Sequence, residues 1–200
     1  MWNERYAGDD YLFGTEPAAF LRRAAEWLSP GATALAIADG EGRNSVWLAE
    51  QGLRVAAFDS APNALAKARK LAASRGVAVD YHLSDLDGWD WARVFDVVAG
   101  IFIQFVGPEE RARLFTRIDR ALKPGGLLLL HGYAPRQVGY GTGGPPFEEN
   151  MYTLPLLRQA FAGYEVLRAE DFDAEVDEGR GHSGRSALID FVARKPGQGG

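Results

Sequence analysis

LAIADGEGRN, residues 35–44, runs from an apolar segment into two glycines one residue apart, Gly40 and Gly42. A Gly-x-Gly between a strand and a helix marks a place where a nucleotide lies against bare backbone. The flanks decide whether this stretch is such a junction. Upstream, ATALAIA (32–38) reads as a buried strand, and downstream GRNSVWLAEQ reads as a helix stopped by Gly52. RVAAFD (54–59) is a second strand, followed by PNALAKARKLAASR, a helix with proline in its first turn, Ser60 as its cap and Gly76 at its end. The stretch is therefore the first turn of a strand–helix–strand unit.

Further along, VAVDYHLSD (77–85), FDVVAGIFIQF (95–105) and LLLLHGY (127–133) read as strands three to five, with PEERARLFTRIDRALK (108–123) as an amphipathic helix ended by PGG. Apolar strands alternating with helices of roughly 10 to 15 residues predict parallel strands, right-handed crossovers and helices on both faces. That is a doubly wound α/β sheet. APRQVGYGTGGPPFEENM then breaks the pattern, being dense in glycine and proline from 139 to 146, and is expected to be a mobile lid loop over 134–152. TLPLLRQAF is a short helix. YEVLRAEDFDAEV and SALIDFVARK follow with no helix between them, which predicts an antiparallel hairpin at one sheet edge. At the other end EPAAFLRRAAEWL (16–28) has helical spacing and stops at SPG. The expected organisation is one domain over 1–195, with 1–31 as an N-terminal cap segment and helix and 196–200 as a disordered tail.

A chain of 200 residues, 46% hydrophobic and 12% aromatic, can bury the core of one such domain. The net charge of −5 leaves no broad basic field to collect phosphates along DNA or RNA, so no nucleic-acid partner is expected. The absence of cysteine removes disulfides, zinc–thiolate sites and thiolate nucleophiles. HExxH is absent and the three histidines are scattered, so no metal is expected. MWNERYAGDDY lacks the apolar run of a signal peptide, and LLLL at 127–130 is too short to span a bilayer. The expectation is a cytoplasmic protein without a membrane partner.

In an open parallel sheet, ligands sit at the carboxyl ends of the strands. Those ends are Ala38–Gly42, Asp59, Asp85 and the segment from Gly100 to Phe105. Asp59 ends the second strand, where a carboxylate accepts both hydroxyls of a ribose; the rival reading has it starting the next helix. Asp85, in LSDL, is placed to accept from an adenine amino group, or is a simple turn aspartate. A phosphate-cradling loop would need GxxxxGK[ST], and the chain has no Gly-Lys pair. A dinucleotide loop would read GxGxxG, but Ser45 takes the third glycine's place and no tyrosine is followed four residues later by lysine. S-adenosylmethionine (SAM) needs only room over Gly40 and Gly42 and an acid on its ribose.

DGEGRNSVWLAEQG, FDSAPNALAKAR, SDL, the stretch from FDVV to ALKPGGLLLL, and EGRGHSGRSALIDFVARK together resemble the class I SAM-dependent methyltransferases of the tellurite-resistance and thiopurine methyltransferase group. The resemblance runs over nearly the whole chain. It implies a Rossmann-like, mostly parallel seven-stranded sheet with an antiparallel last strand, SAM as cofactor, and an N-terminal segment, WNERYAGDDYLFGTEP, folded over that cofactor. The candidate cofactor residues are Asp39, Gly40, Gly42, Asp59, Ser60, Asp85, Leu86 and Gly100, with Tyr11 and Phe13, beside Tyr6, as aromatic walls that attract a sulfonium. His182 and Arg185, with Tyr140, are the substrate-side candidates. His82 and His131 lie within strand patterns and read as structural.

Similar proteins read LDLGCGEGRN where this chain reads LAIADGEGRN. Ala36 replaces an acid that helps hold the cofactor's ammonium, and losing a hydrogen bond to a charged group costs roughly 1.5 to 3 kcal/mol. Ala38 replaces a glycine and disfavours positive φ. Asp39 either takes over the ammonium or faces solvent. The leading reading is methyl transfer to a small-molecule acceptor. The alternatives are a methyltransferase-fold binding or regulatory protein with weakened SAM binding, and a nicotinamide-dependent oxidoreductase.

Overall fold

The computed structural model describes residues 1–198. The described residues contain seven strands, β1 (Thr33–Ile37), β2 (Arg54–Asp59), β3 (Asp80–Leu83), β4 (Phe95–Ile101), β5 (Leu122–Tyr133), β6 (Glu165–Asp177) and β7 (Ser183–Arg194). Six α-helices accompany them: α1 (Trp2–Arg5), α2 (Ala19–Arg23), α3 (Arg43–Glu50), α4 (Pro62–Ser74), α5 (Pro108–Ala121) and α6 (Leu154–Ala160). The sheet order is β3-β2-β1-β4-β5-β7-β6. This is the doubly wound, Rossmann-like α/β sheet of seven strands that the sequence predicts. The described residues form two compact units, one of residues 1–90 with 178–181, the other of 91–177 with 182–198.

In the first unit β1 pairs parallel with β2, Thr33 opposite Arg54, and β2 pairs parallel with β3, Asp59 opposite Leu83. Leu35 and Ala57 are fully buried, as strands covered on both faces require. Val46 of α3 packs with Leu71 and Ala72 of α4, and Tyr11, Val77 and Tyr81 close that cluster. Gly42 makes this packing possible: a Cβ there would lie 2.7 Å from Ala68 Cβ and 2.9 Å from the Tyr81 hydroxyl. The N-terminal helix is shorter than 16–28, because Ala24 (φ −90°, ψ −1°) separates α2 from a 3-10 turn over Ala25–Trp27. Ser60 does not cap α4. The cap residue is Ala61, whose N–H donates to Asp59 Oδ1 at 2.9 Å.

In the second unit β4 and β5 are parallel, while β7 runs antiparallel to both β5 and β6, giving the edge hairpin. β4 stops at Ile101, short of the expected 105, because Phe102 turns into the left-handed region at φ 56°. Beyond the turn Gln104 bonds Tyr133 through both ends of its amide, donating to the carbonyl at 2.8 Å and accepting the N–H at 2.7 Å. The 134–152 connection contains two 3-10 turns, Pro135–Gly139 and Glu148–Asn150. From the first of them Gln137 donates to Thr142 Oγ1 at 3.0 Å and to the Gly143 carbonyl at 3.1 Å. Gly144 lies against the Tyr133 ring, where a Cβ would come within 2.9 Å. Pro196, in the expected disordered tail, accepts a hydrogen bond from Gly125 N–H at 3.2 Å; residues 199 and 200 of that tail lie outside the described residues. No helix among the described residues is long and apolar enough to cross a membrane.

Candidate functional site

The loop between β1 and α3 takes the left-handed conformation at alternate residues, with φ 47° at Ala38, 60° at Gly40 and 90° at Gly42. Glycine adopts this region freely, whereas an L-residue pays about 1 to 2 kcal/mol. Ala38 therefore preserves the loop's path at an energetic cost. Replacing Ala38 with Gly should raise stability by about 1 kcal/mol, and hence the melting temperature by about 2 to 4 °C. Thermal unfolding of the two proteins checks this, and an unchanged or lower melting temperature would show that Ala38 is unstrained.

Asp59 joins this loop to α4. Its Oδ2 accepts Gly40 N–H at 2.9 Å and its Oδ1 accepts Ala61 N–H at 2.9 Å. The residue is only 8% exposed, and burial raises its carboxyl above the usual range, opposed by hydrogen bonds from the Ala61, Gly40 and Ser60 N–H groups. These bonds fix the carboxylate's orientation. Above Gly40 stands Tyr6, whose hydroxyl would be 3.1 Å from a Cβ at that position. Burial, then the charges of Asp59 and Glu41, raise the Tyr6 phenol well above its ordinary value, so it stays a neutral hydroxyl. Tyr6 packs on Ala61 and Ala64 with Leu12 and Phe13, and Trp2 stacks on it at 5.8 Å.

Asp39 turns to the start of α3. Its Oδ1 accepts Ser45 N–H at 3.1 Å, and its Oδ2 accepts the Ser45 hydroxyl. Ser45 Oγ also lies 3.0 Å from the Tyr81 hydroxyl. Burial pushes the Asp39 carboxyl up to about 7 against these two bonds. Asp85 is exposed and closes its own turn, its Oδ1 accepting Asp87 N–H at 3.1 Å and Gly88 N–H at 2.7 Å, while Leu86 beside it is buried. Ser60 is exposed. Tyr11 donates its hydroxyl to the Lys67 carbonyl at 3.0 Å. The Phe13 ring lies 6.0 Å from the Arg43 guanidinium and fills the space a Cβ on Gly181 would need.

Sequence reasoning missed the charged residues of this unit. Glu41, 4% exposed, binds Lys67 at 2.7 Å, and Arg43, 6% exposed, binds Glu178 at 2.9 Å. Charges inside a glycine loop ordinarily read as solvated, and their partners are remote in sequence, so no local pattern announces them.

The second unit holds Gly100 and the substrate-side candidates. Gly100 is buried in β4, where a Cβ would come within 2.6 Å of Ile103 and 2.9 Å of Leu130. His182 is 7% exposed; its Nδ1 is hydrogen-bonded to the Tyr133 hydroxyl and its ring stacks on Phe102 at 4.2 Å. Phe102 also meets the rings of His131 and Tyr133, each at 4.8 Å. Arg185 and Tyr140 gather instead around Asp173. Tyr140 donates to Asp173 Oδ2 at 2.6 Å, Arg185 reaches the same oxygen at 2.7 Å, and Arg136 takes Oδ1 at 2.7 Å. Hydrogen bonds from Tyr140, Arg136 and Arg185 hold the Asp173 carboxyl well below the ordinary range. His182 thus belongs to an aromatic cluster and Arg185 with Tyr140 to a surface charge network. His131 binds Asp190 at 2.9 Å, and His82 binds Asp80 at 2.8 Å.

A family model described as a methyltransferase domain matches residues 34–126, which contain the glycine loop, Asp59 and Asp85. That stretch of the chain is therefore similar to methyltransferase domains. Solved methyltransferase structures share the fold. TehB from Haemophilus influenzae superposes with TM-score 0.72 at 18% identity, over 97% of this chain and 65% of that one, so the chain spans just under two thirds of TehB. A protein solved in work on conversion of a disulfide bond into a thioacetal group during echinomycin biosynthesis gives 0.75 at 20% identity, over 98% and 89%. The N-methyltransferase NodS from Bradyrhizobium japonicum, in complex with S-adenosyl-l-homocysteine, gives 0.70 at 16% identity, over 97% and 96%. Comparison with curated protein sequences gives no match.

Proposed function

We propose that this methyltransferase domain transfers the methyl group of SAM directly to a small-molecule acceptor, the donor lying over Gly40 with its ribose on Asp59. The observation that carries the reading is the β1–α3 loop. It keeps left-handed turns at positions 38, 40 and 42 even where alanine has replaced glycine, so the bare backbone at Gly40 and the anchored Asp59 carboxylate are retained. These residues fit the donor's ribose side. The contact of an acid at position 36 with the donor's ammonium is missing, because Ala36 has no polar side chain.

SAM supplies a methyl already activated on a sulfonium, so the chemistry asks the protein mainly for in-line alignment and a dry setting. Asp59 contributes orientation, because its carboxylate is pinned by backbone N–H groups before any ligand arrives. Tyr6, kept neutral by burial, offers a hydroxyl over Gly40 without adding a negative charge. On the acceptor side, His182, hydrogen-bonded through Nδ1 to the Tyr133 hydroxyl, is the candidate to contact the acceptor. Arg185 and Tyr140 form a second polar surface, whose role in acceptor binding is part of the same proposal.

The test is calorimetry with SAM and S-adenosylhomocysteine. Wild type should bind both, and Asp59→Ala should weaken both by about ten- to a hundredfold, since a bond to a charged group is worth roughly 1.5 to 3 kcal/mol. Equal affinity in a folded variant would remove Asp59 from the site. A folded wild type that bound neither ligand would favour a methyltransferase-fold binding protein, and binding of NAD instead would favour an oxidoreductase.

A further inference from the structure

Glu41 sits between the two glycines of the loop, yet its carboxylate engages the N-terminal segment. Oε1 accepts the Leu12 N–H at 2.7 Å, and Oε2 takes the Lys67 ammonium at 2.7 Å. The same ammonium donates to the Asp10 carbonyl at 2.7 Å, and the Tyr11 hydroxyl returns a bond to the Lys67 carbonyl at 3.0 Å. Three consecutive residues, Asp10, Tyr11 and Leu12, are thus held by one buried pair. Lys67 is 9% exposed and Glu41 4%, so the pair has left water.

A buried ion pair is a weak source of stability, because desolvation of the two ions offsets their attraction. This one holds main-chain groups: a backbone N–H and a backbone carbonyl, read by opposite charges on either side of Tyr11. The segment it holds carries Tyr6, whose hydroxyl stands over Gly40. A second anchor lies further back, where Asn63 N–H donates to Asn3 Oδ1 at 2.9 Å and Asn63 Nδ2 to the Asn3 carbonyl at 3.0 Å. Between these two anchors, residues 4–9 bridge the glycine loop.

We propose that Glu41 and Lys67 form a latch that holds the N-terminal segment closed over Gly40, and that opening of this latch sets the rate at which a ligand leaves the loop. Both are positioning residues, acting through the backbone of Asp10–Leu12. The second half rests on the reading that the Gly40 loop carries SAM. Because Glu41 is an immediate neighbour of both Gly40 and Gly42, any strain on the latch is transmitted to the loop without an intervening side chain. Closure and ligand retention are then one event.

The experiment compares wild type with Glu41→Leu/Lys67→Met, which removes both charges together and so leaves no unpaired buried ion, and with Lys67→Arg, which keeps the cation. Hydrogen exchange without ligand reads the latch directly: the Leu12 amide should exchange at least tenfold faster in the double variant and near the wild-type rate in Lys67→Arg. Stopped-flow release of S-adenosylhomocysteine should be at least tenfold faster in the double variant, with a smaller change in Lys67→Arg. An unchanged Leu12 amide in the folded double variant overturns the latch whatever the ligand does. Faster exchange with an unchanged release rate overturns the control of ligand exit. If wild type binds no S-adenosylhomocysteine, the donor reading fails and the latch stands or falls on Leu12 exchange alone.

Discussion

Asp190→Ala is expected to lower the unfolding free energy by about 3 to 5 kcal/mol, the usual consequence of removing one partner from a buried charged network. Asp190 is fully buried on β7, opposite His131 of β5 in the antiparallel register. One oxygen takes His131 Nδ1 at 2.9 Å and the other accepts Arg168 Nε of β6 at 2.9 Å. Without the carboxylate, the His131 ring, 2% exposed, loses a buried hydrogen-bond partner, and the Arg168 guanidinium keeps Glu170 at 3.3 Å but loses its buried anion. Chemical denaturation should show a lowered midpoint with an unchanged slope. Asp190→Asn, which keeps an acceptor, should cost clearly less. The double variant His131→Phe/Asp190→Leu should recover part of the loss, because an apolar pair of similar volume carries no desolvation cost. A loss below about 1 kcal/mol in Asp190→Ala would show that water reaches the network and satisfies it.

The second large effect is a pH dependence centred on Asp39. Its carboxyl is raised from 3.8 to about 7, with burial as the main cause. Between those values the folded protein holds a proton that the unfolded chain has released. The stability from this group is therefore fully present below pH 3.8 and is lost as the pH rises through about 7. From about pH 5 to about pH 8 the wild type should lose about 2 to 3 kcal/mol relative to Asp39→Asn, at about 1.4 kcal/mol for each pH unit of retained proton. Asp59, also raised by burial, adds a contribution of the same sign to both proteins. Urea titrations at a series of pH values measure the difference. Parallel curves for the two proteins would mean that Asp39 is ionised throughout, held by Ser45 strongly enough to offset its burial.

The order of strands and helices was legible because each carries its own periodicity. RVAAFD matches β2 residue for residue, and proline at the first turn marks both α4 and α5. The edge hairpin was legible from a missing helix. The end of β4 was not, since FDVVAGIFIQF has the apolar texture of a continuing strand and nothing in it signals left-handed backbone at Phe102. Position 38 teaches the converse: the loop's geometry survives a residue that disfavours it, because tertiary contacts outweigh a local preference of about 1 to 2 kcal/mol. At the candidate site, the place of Asp59 at a strand end could be read from spacing. The partners of Glu41 and Arg43 could not, because they come from α4 and from the turn after β6, elements that periodicity places in the chain but not in space.

That turn has a consequence for how the protein is made. Glu178 and Gly181 belong to the first unit, Glu178 as the anion for Arg43 and Gly181 as donor to the Leu12 carbonyl at 3.1 Å. On the ribosome, β1 to β3 emerge long before them. At about 5 to 20 residues per second, the interval is on the order of ten seconds. Throughout it, the guanidinium of Arg43 has no anion from the turn and the strap of residues 10–13 has no floor at Gly181. The elements β1 to β3 are thus completed by residues translated long after them. A nascent chain halted before Glu178 should keep the Glu41–Lys67 pair but leave Arg43 without this anion and the strap without this floor, so that completion of the first unit waits on synthesis of the turn.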